Sequence, residues 1–280
     1  MIVNHHGSKE NSAAEIISYF PRDYSTLIVP FFGGGRLSYH VLRRNKSKYV
    51  IANDINNDVY SFWMCVKFQP ERFMKEVEEL LIHSELFKKW AGEKNRVEFV
   101  KFISGMSEDD QILWKAIRFY MLNQFGSFCK GTSTIKMESK APKEVLNNRI
   151  QDCLRLIKNI IFGNKDFRKF FRSLSWQGVA KPIIYNDPPY LNTKIVVNNS
   201  SFIPEQLKIL IEINLALRVK DKPVPFYISE NYTPEIMEII KPYGLNYVII
   251  DNYRIAKKCE EVLISNQPIE KQSYKEGELL

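Results

Sequence analysis

The stretch Pro182-Ile183-Ile184-Tyr185-Asn186-Asp187-Pro188-Pro189-Tyr190 organises this chain of 280 residues. Its first five residues form a short run, rich in β-branched and aromatic side chains, that predicts a buried strand. Asp187 then stands at the carboxyl end of a strand, where open α/β sheets bind their ligands. The two prolines that follow fix the backbone and supply no N–H, so the neighbouring carbonyls remain available as acceptors. The Asp187 carboxylate and these carbonyls would together bind an amino group on a flat ring, with Tyr190 stacked on the ring. The alternative is that the segment is an ordinary turn after a strand.

A second ligand-binding turn is predicted near the amino terminus. Residues 26–32 form an apolar strand candidate, Gly33-Gly34-Gly35 follows, and a helical pattern begins after the glycines. Strand, glycine turn and helix in this order form the ligand-binding turn of a Rossmann-like unit, because glycine lets the backbone approach a ligand closely. The glycines do not form Gly-x-Gly-x-x-Gly, so a dinucleotide is not specifically indicated.

An acidic residue follows the next strand candidate, residues 48–53. Asp54 lies about 20 residues after the glycines, where an acid typically accepts the hydroxyls of a bound ribose. Alternatively, Asp54 caps the helix predicted over residues 56–67. The upstream glycines favour ribose binding.

The pattern changes between about residues 69 and 170, where helical periodicity dominates and runs to Ile157 and Ile161. The α/β pattern resumes at residue 171 and ends in two strand candidates whose close spacing predicts a terminal antiparallel pair. The sequence therefore predicts an α/β protein with an inserted, mainly helical domain.

Composition limits the class of protein. The chain is 45% hydrophobic and 26% charged, which is typical of globular proteins. No apolar run approaches the roughly 20 residues of a membrane span, and the first residues lack the apolar core of a signal peptide. The four cysteines are scattered without Cys-x-x-Cys spacing, so we expect no zinc site, no disulfide framework and a reduced, cytoplasmic location. The net charge of +8 favours a polyanionic partner.

The segment 123–136, between predicted helices, mixes amides, hydroxyls, aromatic rings and lysines, the side chains that contact phosphates and base edges. Most basic residues that follow it would lie on solvated helix faces. The DNA-binding candidates are Asn123, Gln124, Phe125, Ser127, Lys130, Thr132, Ser133 and Lys136.

With these pieces in order, the chain resembles the DNA adenine-N6 methyltransferases of the Dam type. They belong to the α group, in which the cofactor motif precedes target recognition and Asp-Pro-Pro-Tyr. The resemblance covers residues 6 to 265 and includes these segments: Gly7-Ser8-Lys9, Pro30-Phe31-Phe32-Gly33-Gly34-Gly35, Asn53-Asp54-Ile55-Asn56, Phe119 to Gly126, Asp187 to Tyr190, Ile228-Ser229-Glu230-Asn231, and Tyr253 to Glu261.

The resemblance implies a Rossmann-like sheet that uses S-adenosylmethionine, with residues 1–66 and 171–267 catalytic, 67–170 a helical target-recognition domain and 268–280 a polar tail. It implies double-stranded DNA as partner, no metal and no membrane, and it allows a cognate restriction endonuclease. Asp187, Pro188, Pro189 and Tyr190 would be catalytic. The cofactor-binding candidates are Lys9, Pro30, Phe31, Phe32, Gly33, Gly34, Gly35, Asp54, Ile55, Ser175, Trp176 and Asp187.

The implied reaction is direct methyl transfer to the N6 amine of a flipped-out adenine, which a loop at residues 198–202 would cover. The chain departs from the family pattern twice. Val29 stands where the family has the Glu that helps hold the methionine ammonium, and Ser175-Trp176 stands in the place of an Asp-Phe that reads the cofactor adenine.

Other functions are compatible with the same residues. Asp187 in place of Ser favours adenine over cytosine N4, while an RNA adenine methyltransferase fits the same motifs. The two departures would also suit a DNA-binding homologue without activity. A nucleotide-dependent dehydrogenase would use the glycine turn but leaves Asp187 to Tyr190 unexplained.

Overall fold

The structure is a computed structural model that describes residues 12–45, 48–82, 96–125, 143–191, 202–254 and 257–272. Over these residues the chain folds as two compact units. One unit takes in Ile55–Lys158, and the other takes in Lys9–Asp54 and Asn159–Leu280. We call them the helical unit and the sheet unit.

The sheet unit contains a seven-stranded sheet in the order β3-β2-β1-β4-β7-β9-β8. The first five strands in this order are parallel, and β9 and β8 add an antiparallel pair at one side. The strands, including the short pair β5 and β6, are β1 (Thr26–Val29), β2 (Tyr49–Asn53), β3 (Ile160–Gly163), β4 (Pro182–Asn186), β5 (Arg218–Val219), β6 (Lys222–Pro223), β7 (Phe226–Asn231), β8 (Asn246–Arg254) and β9 (Lys257–Ser265).

Ten helices accompany these strands in the described part of the chain. They are α1 (Ala13–Ser18), α2 (Arg36–Arg44), α3 (Asn57–Phe68), α4 (Pro70–Ile82), α5 (Arg96–Ile103), α6 (Glu108–Phe125), α7 (Lys143–Ile157), α8 (Phe167–Ser173), α9 (Pro204–Ala216) and α10 (Pro234–Ile240).

Apolar side chains cover the sheet on both faces, as the burial of parallel strands requires. On one face, α8, α9 and α10 pack on a buried cluster that includes Ile28, Ile184 and Ile228. On the other face, the Phe20 ring after α1 lies 4.8 Å from the Tyr227 ring and 6.1 Å from the Tyr185 ring, centroid to centroid. These two layers hold the central strands in register.

The helical unit has an aromatic core between α3, α4 and α6. The rings of Phe62, Phe73 and Tyr120 contact each other with centroid distances of 5.5 to 6.3 Å. Arg118 and Asp58, which lie on α6 and α3, form an ion pair at 3.6 Å. Arg118 is only 7% exposed, so the ion pair is mostly removed from water.

The predicted α/β class is confirmed, and so is the terminal antiparallel pair. Two boundaries differ from the sequence expectation. Ile161 lies in β3 and pairs with Ile51, although its spacing from Ile157 fits a helix. The first strand ends at Val29 because Pro30 cannot donate to a ladder.

Part of the predicted polar tail is fixed to α1. The Gln272 backbone N–H donates to the Ser18 carbonyl at 2.8 Å, and Lys271 pairs with Glu15 at 2.8 Å. Residues 273–280 lie outside the described part of the chain.

Two cysteines, Cys65 and Cys153, are buried free thiols. Burial raises the pKa of each thiol to about 12. Within the described ranges, no three His, Cys, Asp or Glu side chains gather as metal ligands. None of the described helices is long and apolar enough to cross a membrane.

Lys48, just before β2, is an unusual buried lysine, at 8% exposure. Its ammonium donates to the Tyr24 carbonyl and lies 3.2 Å from the centroid of the Tyr24 ring. Burial lowers the pKa of Lys48 to about 8, and the nearby Asp23 charge opposes this shift. The protonated side chain therefore costs folding free energy at neutral pH.

We expect Lys48→Met to reveal this cost as a pH-dependent difference in stability. Because the pKa is about 8 in the folded chain and near 10.4 when unfolded, the unfolded chain binds more protons between these values. Between about pH 7.5 and about pH 9.5, the Tm of the wild type should therefore rise by roughly 2–4 °C relative to that of Lys48→Met. This rise corresponds to about 1 kcal/mol in the free energy of unfolding after allowance for solvent screening. Thermal unfolding at both pH values measures this. Lys222→Met, at an exposed lysine, is the control and should show no such change; an equal change would contradict the assignment.

Candidate active site

The carboxyl ends of four neighbouring parallel strands bring the candidate residues to one edge of the sheet. The glycine turn follows β1, Asp54 follows β2, Asp166 follows β3 and Asp187 follows β4. The strand order reverses at β1 and β4, which pair directly with each other. This is the topological switch point at which open α/β sheets bind ligands.

The glycine turn has a backbone that only glycine adopts without strain. Gly33 has φ of 49° and Gly35 has φ of 66°. Gly35 donates its N–H to the Phe32 carbonyl at 2.8 Å and forms the N-cap of α2. The predicted turn between a strand and a helix is therefore present, with backbone that carries no Cβ at positions 33 to 35.

Asn53, at the end of β2, ties the glycine turn to the segment after β3. Its amide group donates to the Pro30 carbonyl at 3.1 Å and to the Lys165 carbonyl at 2.8 Å, and it accepts the Lys165 N–H at 2.9 Å. The residue is 1% exposed. Gly163 packs closely against this residue: a Cβ at position 163 would lie 3.0 Å from the Asn53 Oδ1, so the Asn53 side chain would have to shift by a few tenths of an ångström.

Asp54 is directed at the glycine turn. Its carboxylate accepts the Gly33 N–H at 2.8 Å, and its carbonyl accepts from the Asn164 side chain at 2.8 Å. The alternative role as a helix cap is wrong, because the N-cap of α3 is Asn56, whose side chain accepts the Asp58 N–H. Ile55 follows with its side chain 63% exposed.

The Asp187 to Tyr190 segment, which we call the reacting loop, is fixed at both ends. The Asn186 amide donates to the Tyr227 carbonyl and to the Asn214 side chain, each at 3.3 Å. At the other end, the Tyr190 hydroxyl donates to Glu261 at 2.6 Å, and the Leu191 N–H donates to Glu230 at 3.0 Å. Asp187 itself is half-buried.

A buried tyrosine lies beneath the reacting loop. The Tyr185 hydroxyl is hydrogen-bonded to Ser229 at 2.9 Å. Burial raises the pKa of Tyr185 well above its usual range, and the negative charges of Asp187 and Glu261 raise it further. Tyr185 therefore stays protonated at any pH at which the protein functions.

The structure places the predicted cofactor-adenine pair, Ser175 and Trp176, away from the other candidate residues. Ser175 and Trp176 follow α8, which carries the chain away from the carboxyl edge toward the start of β4. Ser175 is exposed, and Trp176 packs against the core. An Asp-Phe pair is present elsewhere, at Asp166-Phe167, separated from the end of β3 by two residues. The dipeptide is visible in the sequence, but the helical spacing of Ile161 obscured the strand before it.

Asp166 is a half-buried carboxylate at the start of α8. It caps that helix by accepting the Arg168 N–H at 3.0 Å, and it forms a bidentate pair with the Arg168 guanidinium at 2.8 Å. These donors from Arg168 hold the pKa of the Asp166 carboxyl below its usual range. Phe167 is buried, with its ring 5.6 Å from the Phe31 ring.

The remaining candidates are placed only in part. Asn123 is half-buried on α6, and the backbone of Gln124 and Phe125 completes that helix. Phe202, which ends the loop predicted to close, is buried with its ring 5.9 Å from the Phe31 ring. Lys9, Ser127, Lys130, Thr132, Ser133, Lys136 and residues 198–201 lie outside the described residues.

The glycine turn after β1 and the Asp-Pro-Pro-Tyr loop after β4 thus lie at the switch point of a mainly parallel α/β sheet. A family model of the D12 class N6 adenine-specific DNA methyltransferases matches residues 5–252. The chain therefore belongs to this family, and it is an enzyme that methylates adenine in DNA.

Several known proteins are similar to this chain. The DNA adenine methylase of Escherichia coli K12 is 24% identical over 278 residues, covering 94% of this chain and 93% of that protein. The DNA adenine methylase of Vibrio cholerae O395 is 22% identical over 259 residues, covering 86% and 85%. The type II methyltransferase M.MjaIII of Methanocaldococcus jannaschii is 24% identical over 200 residues, covering 66% of each chain.

Among solved structures, precorrin-6y C5,15-methyltransferase from Geobacter metallireducens GS-15 superposes with a TM-score of 0.38 at 6% identity, over 94% of this chain and 90% of that one. An antibiotic-related methyltransferase superposes with a TM-score of 0.33 at 12% identity, over 92% and 94%.

Asn53→Ala should lower the free energy of unfolding more than Asn164→Ala, which removes a neighbouring side-chain amide. It leaves the carbonyls of Pro30 and Lys165 without the donor that now binds them, and we expect a loss of about 2–4 kcal/mol in the free energy of unfolding. Asn164→Ala, which removes one amide donor from the Asp54 carbonyl, should cost about 1 kcal/mol. Urea denaturation of both variants measures the difference. Equal losses would contradict the central role of Asn53.

Proposed function

We propose that Asp187 and the adjacent carbonyls accept the N–H groups of an adenine amine while S-adenosylmethionine is held at the glycine turn. The observation that carries the proposal is the pairing of β1 with β4, which brings the ends of these two strands together. Two substrates that react must meet, and neighbouring strand ends provide two adjacent sites.

The residues at the β1 and β2 ends suit this cofactor. Glycine backbone with positive φ leaves room for the methionine portion, and the Asp54 carboxylate can accept ribose hydroxyls while it holds the Gly33 N–H, because a carboxylate has about four acceptor positions. Asp166, at the end of β3, supplies the acceptor for the adenine amino group that Ser175 does not.

The reacting loop would activate a weak nucleophile. The lone pair of an aromatic amine is delocalised into its ring, and acceptors on both N–H groups localise it on nitrogen. Asp187 and the Pro188 carbonyl are suited to this role, because each proline removes a competing N–H from the loop. The same acceptors stabilise the positive charge that develops on nitrogen during transfer. The cofactor, when bound, supplies the methyl group.

The substrate is proposed to be double-stranded DNA. An adenine amine is inaccessible within a duplex, so the base must be flipped out, and the Tyr190 ring is the candidate stacking surface. The helical unit, with Asn123 at the end of α6, is proposed to contact the target sequence. Because the substrate is DNA, the enzyme would act in the cytoplasm.

A partner restriction endonuclease is a hypothesis that fits the similarity to a type II methyltransferase. Sequencing of the methylated DNA would give the recognition site that such a nuclease would share. Cleavage protection at that site would support the partnership.

Asp187→Asn should abolish most methyl transfer without unfolding the chain. The amide has one acceptor oxygen and adds N–H donors that face the substrate amine, so we expect a loss of about 10²-fold or more in the single-turnover rate. The measurement is transfer of labelled methyl from S-adenosylmethionine to unmethylated duplex DNA, with N6-methyladenine as product.

Asp221→Asn, in the exposed turn between β5 and β6, is the matched control and should retain wild-type activity. Labelled N4-methylcytosine, or transfer to RNA alone, would overturn the proposed substrate. A folded wild type that neither binds the cofactor nor transfers methyl groups would overturn the assigned site.

Asp166→Asn should weaken cofactor binding, whereas Ser175→Ala should not. Asparagine is a good helix cap, so the N-cap of α8 is preserved while the negative charge and its bidentate pair with Arg168 are lost. We expect the Kd for S-adenosylmethionine to rise by about tenfold, which equals about 1.4 kcal/mol. Isothermal titration calorimetry of both variants decides between the two positions, and a larger effect at Ser175 would support the position predicted from the sequence over Asp166.

A further inference from the structure

The antiparallel half of the sheet carries two buried glutamates that contact the reacting loop. Glu230 lies on β7 and is 0% exposed, and Glu261 lies on β9 and is 1% exposed. Burying a carboxylate is unfavourable unless hydrogen bonds compensate for the lost water. Their partners are therefore informative about what this part of the sheet does.

Both glutamates accept hydrogen bonds from the end of the reacting loop. Glu261 Oε1 accepts from the Tyr190 hydroxyl at 2.6 Å. Glu230 Oε1 accepts from the Leu191 N–H at 3.0 Å, while its Oε2 accepts from the Asn231 N–H at 2.9 Å. Tyr190, the last residue of the loop, and Leu191, which follows it, are thus held by acceptors from two different strands.

The two contacts reach the loop from opposite faces of the sheet. Glu230 pairs with Val262, and Asn231 pairs with Glu261. Residues that pair across an antiparallel ladder share a face, and successive residues alternate between faces. Glu230 therefore lies on the face of Val262, which belongs to the core under α8 to α10, and Glu261 lies on the face of Tyr185 and Ser229.

We propose that Glu261 and Glu230 are positioning residues that hold Tyr190 and Leu191, and through them Asp187, in the geometry needed for transfer. This inference rests on the proposed function. A tyrosine ring that only stacked on a base would not need its hydroxyl, whereas here the hydroxyl is buried against a carboxylate. The prolines between Asp187 and Tyr190 make the loop stiff, so an error at Tyr190 is transmitted to Asp187.

The alternative explanation is that the two glutamates only stabilise the sheet. Rate and binding measurements separate the two readings, because a misplacement of about 1 Å can lower a rate by about 10²-fold without a comparable loss of binding. The change with the least disturbance is Tyr190→Phe, which keeps the ring and removes the hydroxyl.

The experiment measures single-turnover methyl transfer to duplex DNA, together with the Kd values for DNA and S-adenosylmethionine and the Tm. Tyr190→Phe should slow transfer by about tenfold or more while both Kd values stay within about twofold. Tyr227→Phe is the matched control, because it removes a buried tyrosine hydroxyl that donates to the Tyr19 carbonyl in the same unit. It should lower the Tm without slowing transfer.

The acceptor is tested by two substitutions at Glu261. Glu261→Gln keeps an acceptor oxygen for Tyr190 and should retain more activity than Glu261→Leu, which removes it at similar volume. Combining Glu261→Leu with Tyr190→Phe should be no slower than the slower single variant, because both remove the same hydrogen bond. Glu230→Gln, which turns one acceptor into a donor, should also slow transfer.

Transfer by Tyr190→Phe at the wild-type rate would overturn the inference, as would equal slowing by Tyr227→Phe or fully additive effects in the double variant. These outcomes presuppose an active wild type. Failure of the wild type to transfer methyl groups would instead contradict the proposed function itself.

Discussion

The parallel pairing of β1 with β4 is the constraint on which the site depends. Parallel strands all end at the same edge, and at this switch point the connections leave in opposite directions and open a crevice. Any residue placed just after these strands is therefore brought to the same crevice. The glycine turn and Asp187 occupy these two positions.

A position at the end of a strand does not by itself fix the orientation of a side chain. In this chain, buried polar groups hold the segments that follow the strands. Asn53 joins the segments after β1 and β3, and Asn186 fixes the entrance to the reacting loop. Each group spans elements that are distant in sequence. Removing one partner would leave another polar group buried without compensation, so these amides rigidify the edge as well as connecting it.

Local sequence was sufficient to place the candidate residues that follow an obvious strand. The glycines after β1, Asp54 after β2 and Asp187 after β4 each stand at the end of a run that reads as a strand by composition. Asp166 was not among the sequence candidates, because the strand before it, β3, is apolar and continues the spacing of α7. Periodicity cannot separate a short buried strand from a helix in such a run; the pairing with β2 decides it, and pairing is not local.

Glu230 and Glu261 show a different limit of prediction from local sequence. The sequence marked both as parts of family-like motifs, but their meaning depends on the register of β7 with β9, which places one on each face. A shift of one residue would exchange those faces and break both contacts with the reacting loop. The antiparallel pair therefore has a role beyond closing the edge of the sheet. The parallel strands bring the reacting groups together, and the antiparallel strands supply the rigid acceptors that hold the loop against them.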